Sequence, residues 1–486
     1  MTHTTCPISI LLALAMSGVC AQAQEQRSTL ADQQDVAVTI YNDNLALVKD
    51  HRIVQLKSGS SALAFRDVSA MMRPETALMR SLNAPGSLTV LEQNYDYDLL
   101  TPQKLLEKYV GQSVNVVRTN TATGLETTEV ATVLAANNGV VLKIGPRIET
   151  GIPGRLVFDA VPANLRDRPT LVMNLDNTGA SKQDVELSYL TAGLGWKADY
   201  VVELNEKDDK LDISGWVTLS NRSGATYSNA KLQLMAGDVN VVPAQLARGV
   251  AYAAAPPREV TAKAAMKEES LFEYHMYTLG RRTTIAENQT KQVSLLTGTG
   301  VPVRKEFVLS GSDHYYRSSV GDELGQKIKV GVFVEFENKE AAHLGMPLPK
   351  GVIRVYKKDA AGNAQFVGED GVEHTPKNEK VRLKLGDAFD VTAIKKQVDF
   401  KNRRTVPMVG ISGRSFTEYE SAYEVLLKNA KKEAVTVTVI EPMPGDWQVL
   451  AESHPHTKGA SNTAVWNITV PPEGTSKLTY RSLVKF

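Results

Sequence analysis

The chain is predicted to be mainly β: multidomain β-sandwiches of immunoglobulin or fibronectin type, a small inserted SH3-like β-barrel, and very little helix. Three observations carry this. Between about Val185 and Val239, apolar residues alternate with polar ones in Val185/Leu187/Tyr189, Tyr200/Val202/Leu204, Leu211/Ile213/Val217/Leu219 and Leu232/Leu234/Ala236. That is the period-2 signature of strands with one buried face. Turn-rich breaks separate these segments at Gly193 to Gly195, Glu206 to Lys210 and Asn221 to Gly224. The last third of the chain continues the pattern, from KIKVGVFVEFEN to SKLTYRSLVKF, while the one convincing helical stretch is Pro102 to Val110.

In chain order, Ile8 to Met16 is a short apolar run followed by Ala21-Gln22-Ala23 before Gln24. This reads as a secretory leader over 1–23, cut after Ala23, which implies the periplasm. Cys20 offers an outer-membrane lipoprotein alternative, although Val19 stands where a lipobox wants a small residue. The run is too short to span a bilayer. Both cysteines, Cys6 and Cys20, lie in the leader, so thiolate catalysis and cysteine-ligated zinc are excluded from the mature chain.

An N-terminal β-domain is expected over 24–100, with Asn42-Asp43-Asn44 turning a hairpin because Asn and Asp tolerate left-handed backbone. Thr101 caps and Pro102 opens the helix, and the short strands after it suggest the small barrel, over 101–165. A central sandwich is expected over 166–310, carrying a mobile Ala- and Pro-rich loop at 243–270. An immunoglobulin-like sandwich over 311–486 completes the chain.

Composition narrows the function. With 55 basic against 54 acidic residues in 486, there is no electrostatic reason to expect nucleic acid or an anionic membrane as partner. An aromatic content of 6% argues against a stacking platform for single strands. There is no phosphate loop, HExxH or EF-hand loop, and Gly410-Ile411-Ser412-Gly413 misses the last glycine of a nucleophile elbow.

YNDNLALVKDHRIVQL, VLEQNYDYDLL, SYLTAGLGWKADY, NAKLQLMAGDVN, HLGMPLPKGVIRVY and KLGDAFDV together resemble a bacterial exported family catalogued as domain of unknown function 4139. That family is related to mucoidy-inhibitor proteins, and the resemblance covers nearly the whole mature chain. The long coiled-coil insert of the mucoidy-inhibitor type is missing here. The resemblance implies an envelope-located β-protein with no established enzyme activity, and it supplies no catalytic residues.

A few constellations bear on function. His454 and His456 face one side if they lie on a strand, with Glu452 nearby, and would begin a metal site; the alternative is a polar loop. The LGMPLPKG stretch would either present Met346 and Leu348 to a partner or bury both to seal a sandwich end. Trp196, Trp216, Tyr189 and Tyr200 are expected in the core rather than lining a sugar-stacking groove. Asp96 and Asp98 would pose as a carboxylate pair for glycoside chemistry. His51, His275, His314, His343 and His374 are scattered singly.

The expectation is a periplasmic, non-enzymatic envelope protein that binds or scaffolds, with an envelope protein or polysaccharide as partner. No catalytic residue and no cofactor are expected. The alternatives are a carbohydrate-active hydrolase of the envelope and a metal-binding envelope protein.

Overall fold

The structure, a computed structural model, describes residues 25–42, 44–137, 139–162, 165–237, 239–240, 266–312, 316–319, 325–407 and 415–485. The expected leader with its Ala23 cut and Cys20, His314 and Gly410-Ile411-Ser412-Gly413 lie outside these residues. So do 243–265 of the expected loop, whereas 266–270 belong to a strand, Met266–Leu271, paired with Tyr274–Leu279.

The chain is mainly β, and Pro102–Lys108 is the one α-helix among the described residues. Of these residues, 25–38, 47–193 and 222–230 form one compact unit and 39–46, 194–221 and 231–485 another.

The strands form because their side chains alternate. Lys182–Thr191 buries Val185, Leu187 and Tyr189 and turns Asp184, Glu186 and Ser188 outward. The N-terminal hairpin, Gln33–Tyr41 and Ala46–Gln55, turns where expected, with Asn44 left-handed and the Tyr41 amide donating to the Leu45 carbonyl at 2.9 Å. In the first unit, Gly59–Arg66 and Leu88–Asp96 flank Thr170–Asn177 in an antiparallel sheet. Its core holds Arg52, whose guanidinium meets Asp50 at 2.7 Å and lies 3.8 Å over the Phe65 ring.

The expected small barrel does not close. Its strands run in the order Arg147–Thr150, Val141–Ile144, Glu126–Ala135, Ser113–Thr119, Arg155–Val157, and no ladder joins the outer two. Those outer strands are short, and Gly151-Ile152-Pro153-Gly154 links them through a proline that has no N–H to donate. The helix covers this sheet: the Lys104 amide donates to the Thr101 hydroxyl at 3.1 Å, and Leu106 and Tyr109 join Val114, Val116, Val133 and Leu142 in its core.

In the second unit, Leu194–Leu204 and Lys210–Asn221 form an unbroken antiparallel ladder from Leu194↔Asn221 to Leu204↔Leu211. Gly351–Lys358 adds to Leu194–Leu204 in parallel. The long strand Gln289–Ser310 pairs first with Lys210–Asn221 and then, from Val303, with Gln326–Glu337. Lys380–Pro407 is one strand, whose ladder to Gln326–Glu337 shifts register near Gly331 and Gly386. Beyond it come Ser415–Asn429, Thr475–Lys485 and Asp446–Glu452, and the core there holds Trp466, Tyr423 and Tyr480. Each such side chain contributes about 1.5–3 kcal/mol through removal from water.

Candidate functional site

The candidate site lies on the outer face of the sheet carrying Leu194–Leu204 and Lys210–Asn221. In Lys210–Asn221 the odd residues Leu211, Ile213, Val217 and Leu219 are buried, so strand alternation turns Trp216 outward, 39% exposed. This corrects the expectation of a core Trp216. Trp196, Tyr189 and Tyr200 are buried as expected.

Register sets what surrounds the ring. Asp199 lies opposite Trp216 on one neighbouring strand and Ser294 on the other, with Lys197, Thr218 and Gln292 forming the next cross-strand row. Directly opposite residues share a face. The Thr218 hydroxyl donates to Asp199 Oδ2 at 2.8 Å, and Gln292 Nε2 donates to Thr218 Oγ1 at 3.2 Å. Arg354 Nη1 meets Asp199 Oδ1 at 3.0 Å, and its Nε reaches Glu369 at 3.2 Å. Burial pushes the Asp199 carboxyl up, but Thr218, Arg354 and Lys197 outweigh it and hold it below the usual carboxylate range. The face therefore combines an exposed indole with an amide and a guanidinium held around the buried, ionised Asp199 carboxylate. Asp199 is suited to accepting hydrogen bonds, not to delivering a proton at neutral pH.

The LGMPLPKG stretch is pinned from several sides. Asn338, fully buried, donates through Nδ2 to the Met346 carbonyl at 2.9 Å and to the Pro376 carbonyl at 3.0 Å. Tyr200 Oη donates to the Pro349 carbonyl at 2.8 Å and Tyr277 Oη to the Pro347 carbonyl at 3.0 Å. A Cβ on Gly351 would come within 2.2 Å of the Ala198 carbonyl oxygen, so only glycine lets the strand start this close. Leu348 is buried and Met346 half-buried, which leaves only Met346 partly accessible to a partner.

His454 and His456 take different partners. His454 Nδ1 sits 2.9 Å from the Ser453 hydroxyl, while His456 Nδ1 sits 2.9 Å from Glu452. The His456 ring lies 5.7 Å from Trp447 and 5.8 Å from Trp466, and Trp466 Nε1 donates to the same Glu452 at 2.9 Å. Among the described residues, no group of three or more His, Cys, Asp or Glu side chains converges as a metal site would require. Asp96 pairs with Arg166 at 2.9 Å and Asp98 with Lys108 at 3.0 Å, so each has its own cation. His51 meets Asp184, and His275 meets Glu268 at 2.7 Å.

Fold and face together define a multi-sheet β-protein with an exposed aromatic platform, and among the described residues no helix is long and apolar enough to cross a membrane. The chain belongs to the family described as domain of unknown function, DUF4139, whose model matches residues 185–486. That match includes the whole Trp216 face. No curated protein matches the chain.

Proposed function

We propose that the protein is an exported, non-enzymatic binding module of the cell envelope, and that its Trp216 face takes polysaccharide. The observation that carries this reading is the exposed Trp216 ring beside the Asp199–Thr218–Gln292 row and Arg354. A sugar ring offers an apolar C–H face and a rim of hydroxyls. Indole is a large flat apolar surface with a polar handle, and the Gln292 amide and Arg354 guanidinium, held through Thr218 and Asp199, supply an acceptor and donors at fixed positions. The leader-like segment ending at Ala23 supports export to the periplasm.

Affinity electrophoresis of the purified protein through gels containing envelope polysaccharides tests the proposal. Wild-type protein is expected to be retarded by at least one polysaccharide, and Trp216→Ala to run free with an unchanged circular dichroism spectrum. Equal retardation of the variant, or none of the wild type, would remove the platform reading.

A further inference from the structure

A cleft of about 200 Å³ opens beside the turn that joins Leu194–Leu204 to Lys210–Asn221. Its wall is apolar, made of Leu204, Val332, Val334, Val367 and Leu385. At its mouth the Asp208 carboxylate is shared by two ammonium groups, Lys305 Nζ at 2.8 Å and Lys357 Nζ at 2.5 Å. Asp208 keeps 17% of its side chain exposed, and the lysines keep 34% and 33%. Asp387, also on the lining, is paired with Lys329 at 3.1 Å and Lys384 at 3.9 Å.

Asp387 is met by lysines from outside the lining, so within the cleft two ammonium groups, Lys305 and Lys357, face the single carboxylate of Asp208. Each lysine has three donors; Lys357 gives one to Asp208 and one to the Glu206 carbonyl at 3.1 Å, and Lys305 gives one to Asp208, so donor capacity remains on both. An apolar wall below a cationic rim favours a ligand with an apolar chain and an anionic head. No short motif announces this site: Asp208 lies 97 residues from Lys305 and 149 from Lys357.

We propose that this cleft binds a small amphiphilic anion, its chain against Leu204, Val334 and Val367 and its carboxylate or phosphate head on Lys305 and Lys357. Asp208 then acts as a resident competitor that holds the two lysines in place and yields part of their bonding to the ligand.

Isothermal titration of the whole protein with octanoate, octyl phosphate and octyltrimethylammonium, each below its micellar concentration, tests this. Saturable binding of an anion is expected, with the cationic amphiphile about tenfold weaker or worse. A preference for phosphate would identify a phosphorylated lipid as the ligand source, and a preference for carboxylate a fatty acid. Lys305→Gln with Lys357→Gln should weaken anion binding by about tenfold or more, while Lys305→Arg with Lys357→Arg retains it. Asp208→Asn should tighten it by about tenfold, since one competing charge is gone. Val367→Asp should weaken both anionic amphiphiles by setting a negative charge in the wall. Absence of saturable binding in both wild type and Asp208→Asn would overturn the proposal. So would equal affinity for the cationic amphiphile, or an unchanged affinity in a folded Lys→Gln double variant.

Discussion

Two lysine–carboxylate clusters in the same unit differ in a way that separates structure from availability. Lys395 Nζ lies 2.7 Å from both oxygens of Glu441, with 1% and 0% of the two side chains exposed. Tyr316 Oη donates to Glu441 Oε2 at 2.9 Å and lies 2.9 Å from Tyr480 Oη, and the Tyr423 ring centroid is 4.7 Å from the ammonium. A Cβ on Gly311 would fall 2.1 Å from Glu441 Oε2, so the backbone itself closes the last side. Burial weakens the hold of Lys395 on its proton, and Glu441 offsets part of that effect. Here one cation meets one anion, and both are sealed from solvent. At Asp208 two cations meet one anion at the edge of an apolar cleft, partly exposed. Exposure and stoichiometry, not the residue types, distinguish a pair that organises a core from one that can receive a ligand.

The sharpest way to break this comparison is to remove one partner from each cluster. Glu441→Gln leaves a buried ammonium without its counter-charge and is expected to cost about 3–5 kcal/mol in urea denaturation. Replacing both partners, Lys395→Met with Glu441→Leu, should recover most of that loss, because the desolvation penalty disappears with the charges. A loss under about 1 kcal/mol for Glu441→Gln would mean that water reaches the pair. Asp208→Asn, in contrast, is expected to cost no more than about 1 kcal/mol, in keeping with a partly exposed pair.

The two tryptophans on neighbouring strands extend the contrast. Trp196→Ala removes a buried ring, and a loss of about 3–5 kcal/mol is expected. Trp216→Ala removes an exposed ring and should cost less than about 1 kcal/mol in the same assay. A loss of core size at Trp216 would show that its face is covered in solution.

This pair also marks how far the sequence could be read. Alternation alone places Trp216 on the face opposite Leu211, Ile213, Val217 and Leu219. A tryptophan in a sandwich commonly fills the core, but at Trp216 the parity of its strand decides the face. The strands themselves and the capped helix were legible because they rest on local periodicity and capping chemistry. That the small five-stranded sheet stays open was not, since closure depends on which edge strands pair. Nor was the cleft, because parallel and long-range pairing brings Lys305 and Lys357 to Asp208. LGMPLPKG stands out in the sequence by its two prolines and flanking glycines, but its anchor, Asn338, carries no local signal.

The smallest expected effect lies in acid. Burial pushes the Asp208 carboxyl up, but Lys305 and Lys357 outweigh it and hold the folded value below the ordinary one of about 3.9. Between those two values the unfolded chain binds more protons than the folded chain, so stability falls as the solution is acidified. The contribution of Asp208 is therefore fully present above the unfolded value and is lost as pH drops through the folded one. Asp199, Glu335 and Glu420 are held low in the same way, so the wild-type curve alone does not isolate Asp208. The difference between wild type and Asp208→Asn does: it should shrink from about pH 6 to about pH 3. A difference that stays constant over that range would mean that the two lysines do not stabilise the charged carboxylate, and the open cluster would lose its claim to an ordered cationic mouth.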